Sequence, residues 1–273
     1  MSTLQILGIN ALVVFVYMTA LWVVSLVRKD AGIVDSFWGL GFVVSAVVYF
    51  IFSQGFAGRK ILLLVLVAIW GLRLSFYIFR RNSGRPEDPR YQAMRAKRGA
   101  AFWWISYFQV FFLQGVLMLV VSVCLLAAQN GAAADRFTVW DVVGVVVWLA
   151  GFFFESVGDW QLARFKRNPG NRGKVMDRGL WRYTRHPNYF GEVAMWWGYF
   201  LIAVAAGGWW SFFSPILMTL LILRVSGVTL LEKHQTQTKP GYQEYIESTS
   251  AFIPWFPKKR RVVPYDGEKD LDL

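Results

Sequence analysis

The sequence holds one cysteine and two histidines in 273 residues. With Cys124 alone no intrachain disulfide can form, and within an apolar stretch the thiol reads as a small core residue. A zinc or haem site would have to combine His186, His234 and that thiol with several carboxylates, so no metal centre is expected. Acid is scarce too, at 17 Asp and Glu against 29 Lys and Arg. No Gly-x-Gly-x-x-Gly follows a strand pattern and no Gly-x-x-x-x-Gly-Lys-Ser/Thr occurs, which removes the dinucleotide-binding sheet and the P-loop. The sequence also lacks a Ser/His/Asp constellation and an internal repeat, which disfavours a triad hydrolase and an inverted-repeat transporter.

What is abundant is apolar: 56% of the residues are hydrophobic and 18% aromatic, too much for an ordinary soluble domain. Seven stretches run about 18 to 25 residues almost without charge, the length an α-helix needs to cross ~30 Å of hydrocarbon. They are 4–27, 36–52, 61–79, 102–128, 139–158, 189–206 and 209–231. The expectation is an all-α, polytopic integral membrane protein of seven transmembrane helices, one membrane domain over 1–273 with 232–273 as its cytosolic C-terminal segment. The first stretch has no Lys or Arg before it, is too long for a signal-peptide core and runs straight into Arg28 and Lys29, so it reads as a retained span.

Charge placement tests the span count independently, because Lys and Arg gather in cytoplasmic loops. Of the 29 basic residues, 24 fall on alternate connections and the tail, 3 on the other connections, and Arg73 and Arg224 within spans. Seven spans with the N-terminus outside and the C-terminus cytosolic produce that alternation, as in a bacterial inner membrane. The net charge of +12 then reflects topology and membrane lipid rather than a nucleic-acid partner. The basic run Lys258 to Arg261 reads as a tether to anionic lipid.

The three basic segments, 80–99, 164–192 and 230–255, are rich in Gly, Pro, Asn and aromatic residues, unlike disordered loops, and read as folded. In Arg185-His186-Pro187-Asn188-Tyr189 the proline starts a helix, whose free N–H groups beside Arg182 and Arg185 favour an anion. His186 is either part of that site or a helix cap. Asn188 and Glu192, four apart, share one face of the first turn. Glu155 and Asp159 also lie four apart, facing a polar cavity or, for Asp159, pairing with Arg164. Asp35 is an N-cap or a catalytic acid. Arg73, inside the third stretch, has to snorkel or meet an internal carboxylate.

The motifs Asn82-Ser83-Gly84-Arg85-Pro86, Asp159 with Lys166-Arg167-Asn168-Pro169-Gly170, Gly179-Leu180-Trp181, Asn188-Tyr189-Phe190-Gly191-Glu192, and Tyr242 through Tyr245 to Phe252-Ile253-Pro254 together resemble the steroid 5α-reductase family. That family includes bacterial members long catalogued as a domain of unknown function, and the resemblance covers roughly 60–256. It implies a seven-span reductase with NADPH held on the cytosolic side by Asn82, Arg85, Asp159, Lys166, Lys174, Asn188, Glu192 and His234. Arg178, Tyr183, Arg185, His186 and Tyr242 join them as neighbouring candidates. A hydrophobic enone, steroid or lipid, would enter from the bilayer and be reduced at its conjugated C=C bond. The family grips the substrate ketone with a Gln-Glu pair and a tyrosine that this sequence does not match. Asp35 and Trp70 stand roughly in their places, so Asp35 would have to be protonated to donate. The Arg-His-Pro-Asn-Tyr run also looks like that of sterol reductases and of S-adenosylmethionine-dependent isoprenylcysteine methyltransferases. A non-catalytic sterol- or lipid-binding protein is the third reading.

Overall fold

The computed structural model describes residues 1–226 and 228–258, with their side chains except at 225, 226, 229–231, 233 and 234. The basic run expected to tether lipid therefore lies outside the described residues from 259 onward. Among the described residues the chain is all helical, with no strand. The principal helices are α1 (Thr3–Arg28), α2 (Ile33–Phe52), α3 (Ala57–Asn82), α4 (Pro89–Asn130) and α5 (Val139–Arg167). They are followed by α6 (Pro187–Ala205), α7 (Trp209–Arg224), α8 (Val228–Thr238) and α9 (Tyr242–Ser248).

Helices α1 to α5 are long and apolar enough to cross a membrane. Their outward side chains suit hydrocarbon: Leu4, Val27, Ile51 and Phe76 are each more than 60% exposed. The sixth and seventh expected spans fall on less apolar or shorter elements. Helix α6 has 19 residues, but Asn188, Glu192, Trp196 and Trp197 lower its hydropathy, and α7 is shorter than a full crossing. The basic segment after the third stretch is folded, as expected: α4 begins within it at Pro89, where Asp88 caps the helix by accepting from the Arg90 N–H at 2.9 Å. A π-helical stretch, Tyr107–Phe112, interrupts the same run.

The chain forms two compact units. The first comprises residues 1–150 and 193–219. Lipid offers no hydrophobic drive for helix association, so close packing and polar contacts must hold these helices together. Gly39 and Gly71 supply the close packing between α2 and α3: a Cβ on Gly39 would come within 2.5 Å of the Gly71 carbonyl oxygen, and one on Gly71 within 2.6 Å of the Gly39 oxygen. Any larger residue at either position would push the helices apart. Beside this crossing Trp70 is fully buried, its ring 5.8 Å from Phe42 and 5.6 Å from Trp196. Trp70 is thus a core residue of an aromatic cluster. A polar string crosses the same unit, where Asn10 donates to the Tyr49 hydroxyl at 2.7 Å and that hydroxyl lies 2.9 Å from Ser122 Oγ.

A buried ion pair closes one end of the unit. Arg59, fully buried, donates to Asp141 Oδ1 at 2.7 Å and Oδ2 at 3.0 Å. Nη1 donates to the Ala134 carbonyl and Nη2 also to that of Arg136, while the Thr138 backbone N–H and hydroxyl donate to the same carboxylate. One guanidinium therefore fixes the start of α3, the 131–138 connection and the start of α5. Arg59→Met leaves Asp141 charged and buried without its cation, and is expected to cost about 3 to 5 kcal/mol. Adding Asp141→Leu should recover much of that loss in denaturation of the detergent-solubilised protein. A single variant as stable as the wild type would remove the clamp from this account.

Candidate functional site

The second unit comprises residues 151–192 and 220–273 and contains most of the candidate residues. Its centre is Arg185, only 7% exposed. The guanidinium grips Glu232 of α8 with Nε to Oε1 at 2.7 Å and Nη2 to Oε2 at 3.2 Å. Nη1 donates to the carbonyls of Ile246, at 3.0 Å, and Thr249, and the Arg185 backbone N–H donates to the Ser250 carbonyl at 2.9 Å. His186 Nε2 lies 3.0 Å from the same Glu232 Oε1. Its ring is buried and stacks on Tyr189 at 5.5 Å. With Nε2 donating to Glu232, Nδ1 is a buried acceptor without a partner among the described residues.

Desolvation alone would raise the Glu232 carboxyl, but the hydrogen bonds from His186 and Arg185 outweigh it and bring the group down to about 2. Glu232 is the residue that reading the sequence missed. The signal was present, a carboxylate at the end of an apolar run two positions before His234, but the segment was read for its histidine. The His234 side chain lies outside the described residues.

Around this node the candidates separate. Asp159, 4% exposed, accepts from Asn188 Nδ2 at 3.1 Å, so α5 and α6 meet through a carboxylate and a carboxamide. The glycine before Glu192 permits this approach, since a Cβ on Gly191 would strike the Gly151 oxygen and the Glu155 nitrogen. Trp181 donates from Nε1 to the Gly158 carbonyl at 3.0 Å, and its own carbonyl accepts from the Tyr245 hydroxyl. Tyr242 is buried against Tyr245, with its hydroxyl pushed up to about 12 by burial. Tyr183 faces away from this packing, 38% exposed and touching Phe256. Lys166 and Lys174 are exposed.

Two cavities open in this unit. One of about 580 Å³ is lined by Arg178, Arg182 and Lys258, by Asp177, and by Ser248 and Thr249. Another of about 350 Å³ is lined by Trp160, Phe165, Arg164, Asn168, Asn171 and Arg178. Arg178 and Gly179 line both. The first gathers cations around space sized for a polar anion, and the second pairs aromatic rings with carboxamides, a combination that takes a flat heterocycle. Of the expected contacts Arg178 lines both of these cavities, and Arg182, Lys258 and Asn171 are additions.

The remaining candidates belong to the first unit. Asn82 ends α3 and accepts from Arg81 Nε at 3.1 Å, and Arg85 is exposed in the turn that follows. Asp35 sits inside the first turn of α2, whose N-cap position is Gly32. Both its oxygens are engaged, Oδ2 by Arg90 Nη2 at 2.6 Å and Oδ1 by the Tyr91 hydroxyl at 2.9 Å. Tyr91, which donates to Asp35, is 5% exposed. Arg73 lies over the Tyr77 ring at 5.3 Å.

The family model described as "Protein of unknown function (DUF1295)" matches residues 21–249. The chain belongs to the DUF1295 family. Similar to it is an uncharacterized protein of Schizosaccharomyces pombe, 22% identical over 275 residues that cover 90% of this chain and 79% of that protein. Two enzymes named 3-oxo-5-alpha-steroid 4-dehydrogenase 1 match more narrowly. The Bos taurus enzyme is 30% identical over 42% of this chain and 41% of its own length, and the Homo sapiens enzyme 33% identical over 32% of each. The chain thus spans less than half the length of these steroid enzymes. No solved structure matches it. The matched region of the DUF1295 chain includes the Arg185, His186 and Glu232 node, and both steroid enzymes act as dehydrogenases by name.

Glu232 carries a pH test of this node. Its carboxyl is depressed from 4.5 to about 2 by folding, so its contribution is complete above the unfolded value and is lost as the pH falls from about 4.5 toward 2. The wild-type melting temperature should drop through that window while Glu232→Gln, already less stable at neutral pH, changes less. Parallel pH profiles for the two proteins would remove Glu232 from the role given to it.

Proposed function

We propose that this DUF1295 chain is a seven-span membrane reductase, N-terminus outside and C-terminus cytosolic, that uses NADPH to reduce a C=C bond conjugated to a carbonyl in a hydrophobic, steroid-like or lipid-like molecule. The observation that carries the reading is the cavity lined by Arg178, Arg182 and Lys258 in a chain similar to 3-oxo-5-alpha-steroid 4-dehydrogenases. The charge alternation of the connections supports the orientation, and the span count rests on hydropathy together with that alternation.

The residues present fit a phosphorylated nucleotide. Arg178, Arg182 and Lys258 bring three cations against the single carboxylate of Asp177, which suits phosphate oxygens. Trp160 and Phe165 offer faces for a base. NADPH, when bound, supplies the hydride that reduces the β-carbon of the enone. The chain's part is binding, orientation and the proton. Arg178 and Arg182 hold the anion, and the Arg185–Glu232 pair keeps the wall formed by Ser248 and Thr249 in place. The proton is assigned to the Asp35 and Tyr91 pair, in which the Tyr91 O–H donates to Asp35 Oδ1 and Arg90 Nη2 to Oδ2.

Thermal unfolding of detergent-solubilised protein with NADPH, NADH or S-adenosylmethionine tests the cofactor. At about 100 times its dissociation constant a ligand adds about 2.7 kcal/mol, and NADPH is expected to do so, with Arg178→Ala and Arg182→Ala weakening the effect. Stabilisation by S-adenosylmethionine without any by NADPH would sink the reading. For the substrate end, Tyr91→Phe and Asp35→Asn should leave the NADPH shift intact and slow turnover of a reducible enone. Turnover unchanged in both would dismiss the pair from the chemistry.

A further inference from the structure

The last described stretch of the chain, 249–258, is pinned along its length. The Ser250 carbonyl accepts from the Arg185 N–H, the Phe252 carbonyl from Thr184 Oγ1 at 2.8 Å, and the Trp255 N–H donates to the Tyr183 carbonyl at 2.9 Å. The Lys258 N–H then donates to the Ser248 carbonyl at 2.9 Å. Held this way, the segment still turns its large apolar side chains outward: Ile253 is 65% exposed, Trp255 70% and Phe256 77%. Their exposure is a property of a fixed backbone and not of a loose end. Four consecutive basic residues, Lys258 to Arg261, follow directly.

We infer that Ile253, Trp255 and Phe256 form an interfacial wedge that inserts into the headgroup region of an anionic lipid leaflet beside the protein. Aromatic and branched side chains next to lysines and arginines are the composition that partitions into that layer. The rings occupy the boundary between headgroup and acyl chain, and the cations meet lipid phosphates. A bare aqueous surface would penalise the same three side chains, and a protein partner would have to bring its own acidic ring to match the basic run. The occupant chosen is therefore anionic phospholipid. The wedge also has a consequence for the larger cavity, because Lys258, two residues past Phe256, is part of its lining. Lipid contact at 253–256 and the cavity wall share one pinned segment. The inference rests on exposure and charge, and stands apart from the reductase reading.

The test uses full-length protein in vesicles. Phe256→Cys, Ile253→Cys and, as an exposed reference in the same unit, Gln243→Cys are each labelled with an environment-sensitive fluorophore. Wild-type protein serves as the labelling blank, since its Cys124 thiol is fully buried. Vesicles of phosphatidylcholine, or of a roughly seven-to-three mixture with phosphatidylglycerol, carry lipids brominated near the headgroup as short-range quenchers. Expected are strong quenching at 253 and 256, little at 243, deeper quenching with phosphatidylglycerol, and loss of that increment when Lys258, Lys259, Arg260 and Arg261 are all changed to Ser. Labels at 253 and 256 quenched no more than the label at 243 would overturn the inference. So would self-quenching between labelled copies that rises with protein density in place of lipid quenching, which would make the surface a contact between copies. Two labelled positions keep the test decisive where one variant fails to fold.

Discussion

Within the second unit, four of the five N–H donors of the Arg185 side chain are spent on Glu232 and on the carbonyls of Ile246 and Thr249. That single buried guanidinium joins the segment before α6 to α8 and to the turn after α9, three places far apart in the chain. Without it, a half-buried carboxylate would lose its cation and two carbonyls their donor together, a penalty concentrated at one point. The candidate site depends on it geometrically. Ser248 and Thr249, part of the larger cavity's wall, sit where Arg185 holds the neighbouring carbonyl, and the 249–258 segment starts from the same place.

The two buried arginines among the described residues solve related problems differently. Arg59 meets an aspartate whose other contacts are local, and four of its five N–H donors are spent on that carboxylate and on two carbonyls. Arg185 shares its carboxylate with a histidine whose second nitrogen is left without a partner among the described residues. A buried imidazole nitrogen kept in that state costs free energy unless something fills it. Both clusters are clamps: Arg59 ties the start of α3 to that of α5, and Arg185 ties the segment before α6 to α8 and to the chain after α9.

Legibility in the sequence followed the range of the interaction. Helix positions for the long apolar stretches were readable because hydropathy is a property of neighbours in the chain, and Pro187 and Asp88 mark helix starts by local chemistry alone. Helix α4 begins at Pro89, ahead of the apolar stretch expected from 102, and runs through Arg90, Arg95 and Arg98, because charge at a helix end does not interrupt the helix. The pairings Arg59 with Asp141 and Arg185 with Glu232 join residues 82 and 47 positions apart, and nothing in composition or periodicity selects one partner among many acids. Asp35 shows the same limit from the other side. Its helix-start position suggested a cap or a lone acid, whereas the Arg90 and Tyr91 that engage it come from another helix.

That engagement changes how Asp35 can act. A lone carboxyl at a helix start is open to a cap or to a ligand. Here Oδ2 accepts from Arg90 Nη2 at 2.6 Å and Oδ1 from the Tyr91 hydroxyl at 2.9 Å, so each oxygen already holds a hydrogen bond within the fold. Any group that draws on Asp35 has to act through one of those two partners or displace it. Tyr91 is the donor of its pair and is itself buried, so the two side chains form one unit, and a change at either is felt at the other.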